Sequence, residues 1–172
     1  MIEAGVIGES ERLELIEGEI VMNAAKSIAH DNIQNALNLA LSRAVPDGIY
    51  VGNGSTLQLA DDVLVEPDLA VIARTIYAND DQRGFAQPQA ADILLVVEIA
   101  VSSMDYDRKV KARLYARHGM REYWVIDAME RMTWVHTGPS ADSWSSVVKR
   151  GPDETLTTAA VPGFAMRFDR IG

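Results

Sequence analysis

The pattern begins with a loose alternation. Residues 12–22, RLELIEGEIVM, alternate apolar and polar positions around Glu17-Gly18, which predicts a strand, a tight turn and a second strand. The period then lengthens. Ile28, Ile33, Ala36, Leu37, Ala40, Leu41 and Ala44 fall on one helical stripe, with Asp31, Asn32, Gln34, Asn35 and Asn38 opposite. Ser27 is the predicted N-cap, and Pro46-Asp47-Gly48 stops the helix. Strand patterns follow at Ile49 to Val51, at Thr56 to Leu59, and from Val63 to Ile72 around Glu66-Pro67-Asp68. A loop with Gly84 and Pro88 comes next. Ile93 to Ala100, ILLVVEIA, is too apolar for a half-exposed strand and belongs in the middle of a sheet. A second helix covers Asp105 to His118 and stops at Gly119, which suits the left-handed position after a helix. EYWVID reads as a strand, and Ala128 to Arg131 as a turn into MTWVHT. SWSSVVK and Phe164 to Phe168 read as closing strands. This order predicts an α+β fold, a mixed sheet flanked by helices, without the strict alternation of a doubly wound protein.

Composition narrows the class. The 172 residues are 48% apolar and 24% charged, which suits one folded domain over residues 1–172 with its core at about 12–170, and excludes a disordered chain. The absence of cysteine excludes a disulfide framework, a thiolate zinc site and a cysteine nucleophile. Histidines 30, 118 and 136 are too few for a histidine-rich metal cage. The longest aliphatic run, Ile93 to Val97, is far too short to cross a bilayer. The acidic first residues carry no leader pattern, so a cytoplasmic protein without a membrane partner is expected. A net charge of −9 argues against indiscriminate binding of polyanions. That charge is uneven, because residues 105–122 net +3 through Arg108, Lys109, Lys111, Arg113, Arg117 and Arg121, leaving −12 elsewhere. The strip is either a phosphate-facing surface or a solvated helix face.

Three side chains stand where stability alone would not put them. Asp68 and Glu98 lie inside apolar strands, where a carboxylate costs several kcal/mol unless it is paired or bound to a metal. Carboxylates on neighbouring strands can share a hard ion, Mg²⁺ or Mn²⁺. Lys111 follows Asp107 by four residues, on one helix face with Tyr115 and His118. Together they could bind a metal that activates a water, with the lysine orienting that water. Each also has a plainer reading: Asp68 bonding a turn, Glu98 paired with Arg113 or Lys111, and Lys111 exposed beside Asp107.

The chain resembles the Uma2 family of restriction-endonuclease-like proteins. The resemblance is carried by Glu14-Leu15-Ile16-Glu17-Gly18-Glu19, His30, Pro67-Asp68, Val97-Glu98 and Ser102-Ser103. It continues through Tyr106-Asp107, Lys111, Tyr115, Gly119, Glu122-Tyr123-Trp124, Val125-Ile126-Asp127 and Pro162-Gly163, and so runs from about residue 12 to 170. It implies a restriction-endonuclease-like PD-(D/E)XK core with an N-terminal hairpin, in which Asp68 and Glu98 bind Mg²⁺ or Mn²⁺. The lysine of that superfamily usually stands two residues after the glutamate. Here Ala100 holds that place, and Lys111 on the adjacent helix takes the role, as in variants that moved it. An acid from the N-terminal part often completes such sites. Glu19 or Glu14 is the candidate, with Glu19 preferred because it follows the turn glycine, and His30 could face the same cleft. Val101 stands where an aspartate is frequent, which removes an acceptor around the site.

The expected function is hydrolysis of DNA phosphodiesters by a metal-dependent endonuclease. Asp68 and Glu98 would hold the ion with Glu19 assisting, Lys111 would orient the water, and Arg108, Lys109, Arg113 and Arg117 would contact nucleic acid. The alternative is a non-catalytic nuclease-like binding or assembly module. A homodimer with two sites is a further reading, with Trp124, Trp134 and Trp144 as interface candidates or, more simply, core residues.

Overall fold

Residues 13–23, 26–73 and 88–171 are described by the structure, a computed structural model. Gly84 lies outside them. The predicted hairpin forms from β1 (Leu13–Ile16) and β2 (Glu19–Met22). Its two turn residues, Glu17 and Gly18, both take positive φ (52° and 82°), the left-handed geometry whose twist matches the flanking strands. Helix α1 spans Ile28–Ala44, and the Ser27 hydroxyl accepts the His30 amide at 3.2 Å as its cap. Strands β3 (Ile49–Asn53), β4 (Leu57–Ala60), β5 (Val63–Val65), β6 (Leu69–Ala73) and β7 (Ile93–Ala100) follow. The second helix changes pitch along its length. It is α-helical at α2 (Met104–Tyr106), widens to a π turn over Asp107–Lys111, and returns to α at α3 (Ala112–Arg117). Gly119 then takes φ 71° and releases the chain into β8 (Glu122–Asp127), β9 (Thr133–Ser140) and β10 (Ser143–Arg150).

The strands form a six-stranded sheet, β10-β9-β8-β7-β6-β3, and a four-stranded sheet, β2-β1-β5-β4. Within the larger sheet every pair is antiparallel except β7 and β8, whose parallel pairing requires the helical crossover between them. β7 is interior, as its apolar run predicts. Strand parity divides the buried residues between two faces. One face packs α1 and the C-terminal segment against Leu95, Val97, Trp124 and Ile126. The other packs the smaller sheet and α3 against Ile93, Val96, Tyr123 and Val125.

Several expectations are corrected. The apolar run from Val63 to Ile72 is two strands, β5 and β6, in different sheets, because Pro67 lacks the amide that a continuous ladder needs. Phe164 to Phe168 is not a strand. It forms a bridge from Met166 to Leu156 and then a 3₁₀ turn over Phe168–Arg170, while Phe164 and Phe168 are buried in the α1-side core. Ile28 stands 82% exposed at the helix start, and Gln34 is buried although the helical pattern puts it on the polar side. Trp124 is core, whereas Trp134 and Trp144 are half-buried on β9 and β10. Among the described residues, no helix is long and apolar enough to cross a membrane.

Candidate active site

Each acid reaches the site through its place in a strand. In LELI, Glu14 and Ile16 share one face, so the parity that buries Ile16 also buries Glu14, which is 1% exposed. On β7, Glu98 projects from a buried strand. Asp68 sits at the entrance to β6, and the Ile99 amide of β7 donates to its Oδ2 at 2.9 Å. From the helix, Asp107 and Lys111 bracket the π turn and are both buried. Such wide turns recur at functional sites.

Lys111 Nζ lies 2.8 Å from Glu98 Oε1, 3.1 Å from Glu14 Oε1 and 3.0 Å from Glu14 Oε2. Tyr115 donates its hydroxyl to the same Glu98 oxygen at 2.9 Å, and the Glu66 amide donates to Glu14 Oε1 at 2.8 Å. Glu14 Oε2 has the ammonium near it but no hydrogen-bond donor in line. On the other side, His30 Nε2 lies 2.9 Å from Asp68 Oδ1, and Lys26 Nζ lies 3.2 Å from it. Gln34 donates to the Asp68 carbonyl at 2.8 Å and accepts from Lys26 at 2.8 Å. Ser103 donates to Asp107 at 2.6 Å. Asp68, Glu98, Asp107, Lys111, His30 and Lys26 all line one cavity of about 300 Å³.

The electrostatics follow from crowded buried acids. Burial pushes the Glu98 carboxyl up to about 8; Lys111 opposes the shift, while Glu14, Asp68 and Asp107 add to it. Burial likewise raises Asp107, against the hydrogen bond from Ser103 and the charge of Lys111. Burial also acts to raise Asp68. The His30 hydrogen bond and charge, the Ile99 amide and Lys26 outweigh it and hold that carboxyl below its usual range. For Lys111, burial favours the neutral amine, but Glu98 and Glu14 prevail and push its pKa upward, so it is an ammonium.

The structure therefore brings Asp68, Glu98 and Lys111 to one cavity, with His30 beside them. It does not bring Glu19, which is exposed on β2 opposite Ile16, while Glu14 on β1 pairs with Lys111 behind the cavity wall. Of the basic strip, Arg108, Lys109, Arg113 and Arg117 are all exposed and none lines the cavity. Lys109 pairs with Asp105, Arg113 with Asp142, and Arg117 with Asp142 and Glu17. Lys26 and Gln34 also belong to the site, although the sequence pattern does not single them out. The signal for Gln34 was its spacing, since positions 30, 34, 37 and 41 form the buried stripe of α1.

The donors suit a hard cation, being carboxylate oxygens in excess over nearby ammonium groups. Among the described residues, no three His, Asp or Glu side chains are gathered closely enough to form a metal cage. Two carboxylates, Asp68 and Glu98, line the cavity, and carboxylate oxygen is the donor type that hard cations take.

The fold is shared with a solved structure, that of a putative nuclease belonging to DUF820 from Anabaena variabilis. It superposes with a TM-score of 0.75 at 16% identity, covering 98% of this chain and 94% of the other. No curated protein matches the chain. The family model of Uma2, described as "Putative restriction endonuclease", matches residues 3–169, and the chain belongs to that family.

Proposed function

We propose that the chain is a metal-dependent endonuclease that hydrolyses DNA phosphodiester bonds at this cavity. One observation carries the reading: a buried ammonium, Lys111, is held by Glu14 and Glu98 in the wall of a cavity that Asp68 also lines. Buried clusters of this kind, with acids displaced from their ordinary protonation behaviour, gather at catalytic sites. The family description and the nuclease neighbour support the same chemistry.

Asp68 and Glu98 would hold Mg²⁺ or Mn²⁺, which when bound polarises a phosphoryl oxygen and acidifies a water. Asp68 is pre-positioned for this task, with one oxygen fixed by the Ile99 amide and the other by His30. Lys111 stays charged, so it cannot take a proton from water. Its part is to donate: Glu14 and Glu98 engage two of its three N–H groups, and the third orients a water or meets the developing phosphorane charge. Glu14 anchors the lysine, which is why an acid on β1 belongs to the site without touching substrate.

Supercoiled plasmid incubated with Mg²⁺ or Mn²⁺ tests this directly. Wild type should nick it, and Glu98→Gln and Lys111→Met should each lose about 10²-fold or more of that rate. Equal nicking by all three proteins would overturn the assignment. A non-catalytic assembly role is the second reading, favoured by a basic strip whose Lys109, Arg113 and Arg117 are neutralised within the chain. It predicts a folded wild type that binds metal and nicks nothing.

A further inference from the structure

The cations that contact a nucleic-acid strand need not be those that cluster in the sequence. Lys109, Arg113 and Arg117 each face an acid of this chain, at 3.0, 3.4 and 2.7 Å respectively. Arg108 differs. Its guanidinium lies 4.4 Å from the centre of the Trp134 ring on β9, and no acid pairs with it among the described residues. Lys149, on β10, is the cross-strand partner of Trp134 and holds its ammonium 5.1 Å from the same ring, likewise with no acid pairing it among the described residues. Two positive charges from sequence positions 41 residues apart are thus gathered at one aromatic side chain, on a protein whose net charge is −9. The ring's negative face offsets their repulsion and holds both heads in place, while both residues remain exposed.

The geometry points to Arg108 and Lys149, seated on Trp134, as the phosphate-backbone contact of this protein for a nucleic-acid strand. The inference rests on the nuclease reading and says where the substrate's backbone runs. Arg108 follows Asp107 on the helix, and Asp107 lines the cavity, so consecutive residues carry the patch and the candidate site. The two charges lie within roughly 10 Å of each other. Neighbouring phosphates of one strand fall within that reach. A guanidinium and an ammonium without acid partners among the described residues leave their N–H groups and their full charge for phosphate oxygens, whereas the charges of Arg113 and Arg117 are already partly offset by Asp142.

The test is binding, measured without divalent metal so that cleavage plays no part. A fluorescent oligonucleotide is titrated with the full chain in EDTA at several salt concentrations, and anisotropy is read. The double variant Arg108→Gln/Lys149→Gln should bind about tenfold or more weakly, and its log–log salt slope should fall by nearly two. Arg113→Gln, whose charge is already met by Asp142, should bind as wild type does. Equal affinity and slope for the double variant would overturn the inference, as would a larger loss in Arg113→Gln. Displacement of the oligonucleotide by polyglutamate at equal charge as effective as by unlabelled DNA would also overturn it, because the patch would then suit acidic protein. Failure of the nuclease reading shows separately, as loss-free nicking in Glu98→Gln or no nicking by wild type, while oligonucleotide binding still depends on Arg108 and Lys149.

Discussion

Two faces of one helix carry the same pairing on very different terms. On the outer face, Lys109 reaches Asp105 at 3.0 Å, four residues away, with both side chains largely in water. On the inner face, Lys111 reaches Glu98 at 2.8 Å and Glu14 at 3.0 Å, with all three groups buried. The distances are nearly equal. The surroundings are not: water screens the outer pair to a small net effect, whereas removing one inner partner strands a charge in a low dielectric. The distance between head groups therefore says little about what a salt bridge does; the polarisability around it decides.

The largest break in that comparison is Lys111→Met. It leaves Glu14 and Glu98 facing each other without a counter-charge and should cost roughly 3–5 kcal/mol in urea unfolding. Adding Glu98→Gln should restore part of this stability but none of the nicking, since Glu14 keeps its charge. Next is Asp68→Asn, which keeps the shape of the side chain while removing a charge. Calorimetric titration should show Mn²⁺ binding weakened beyond the roughly 10–100-fold that partners outside the coordination sphere cost. Third is pH. With Glu98 raised from 4.5 to about 8, the folded chain keeps a proton that the unfolded chain has already lost. Stability of the metal-free protein should then fall as pH rises through that interval. Asp107 and Glu122 are raised as well and add slope of the same sign. Asp68, being lowered, adds stability that is lost only in stronger acid. Thermal melts of Glu98→Gln across the same range should lose the upper part of the slope. The smallest effect belongs to the outer face: Lys109→Ala should change unfolding free energy by less than about 0.5 kcal/mol.

Most of the frame was legible because strand and helix periods are local. The hairpin turn, the Ser27 cap, the buried β7 and the stop at Gly119 each depend on residues within a few positions. Asp68, Glu98 and Lys111 were legible for another reason: a charge inside an apolar pattern must be answered by something. What lay beyond reach was the partner that answers. Glu14 meets Lys111 across 97 residues, and parity does not separate it from Glu19, which pairs with Ile16 on the same face; only the place of Glu19 on the exposed edge strand β2 does. The side on which Arg108 would lie was equally hidden, because Trp134 comes from β9, later in the chain and beyond β8 in the sheet. Phe164 and Phe168 looked like strand residues because apolar spacing alone cannot tell a ladder from a plug held by buried rings.

The widened turn over Asp107–Lys111 makes the position of the lysine a matter of chain arithmetic. A turn of this width spends one more residue than an α-helical turn, so it absorbs that residue while leaving α2 and α3 nearly in phase. Asp107 and Lys111, at its two ends, both reach the cavity wall. Winding the same residues as a plain α-helix, with none removed, would rotate one flank by about 100° against the other and carry the ammonium away from the acids that hold it.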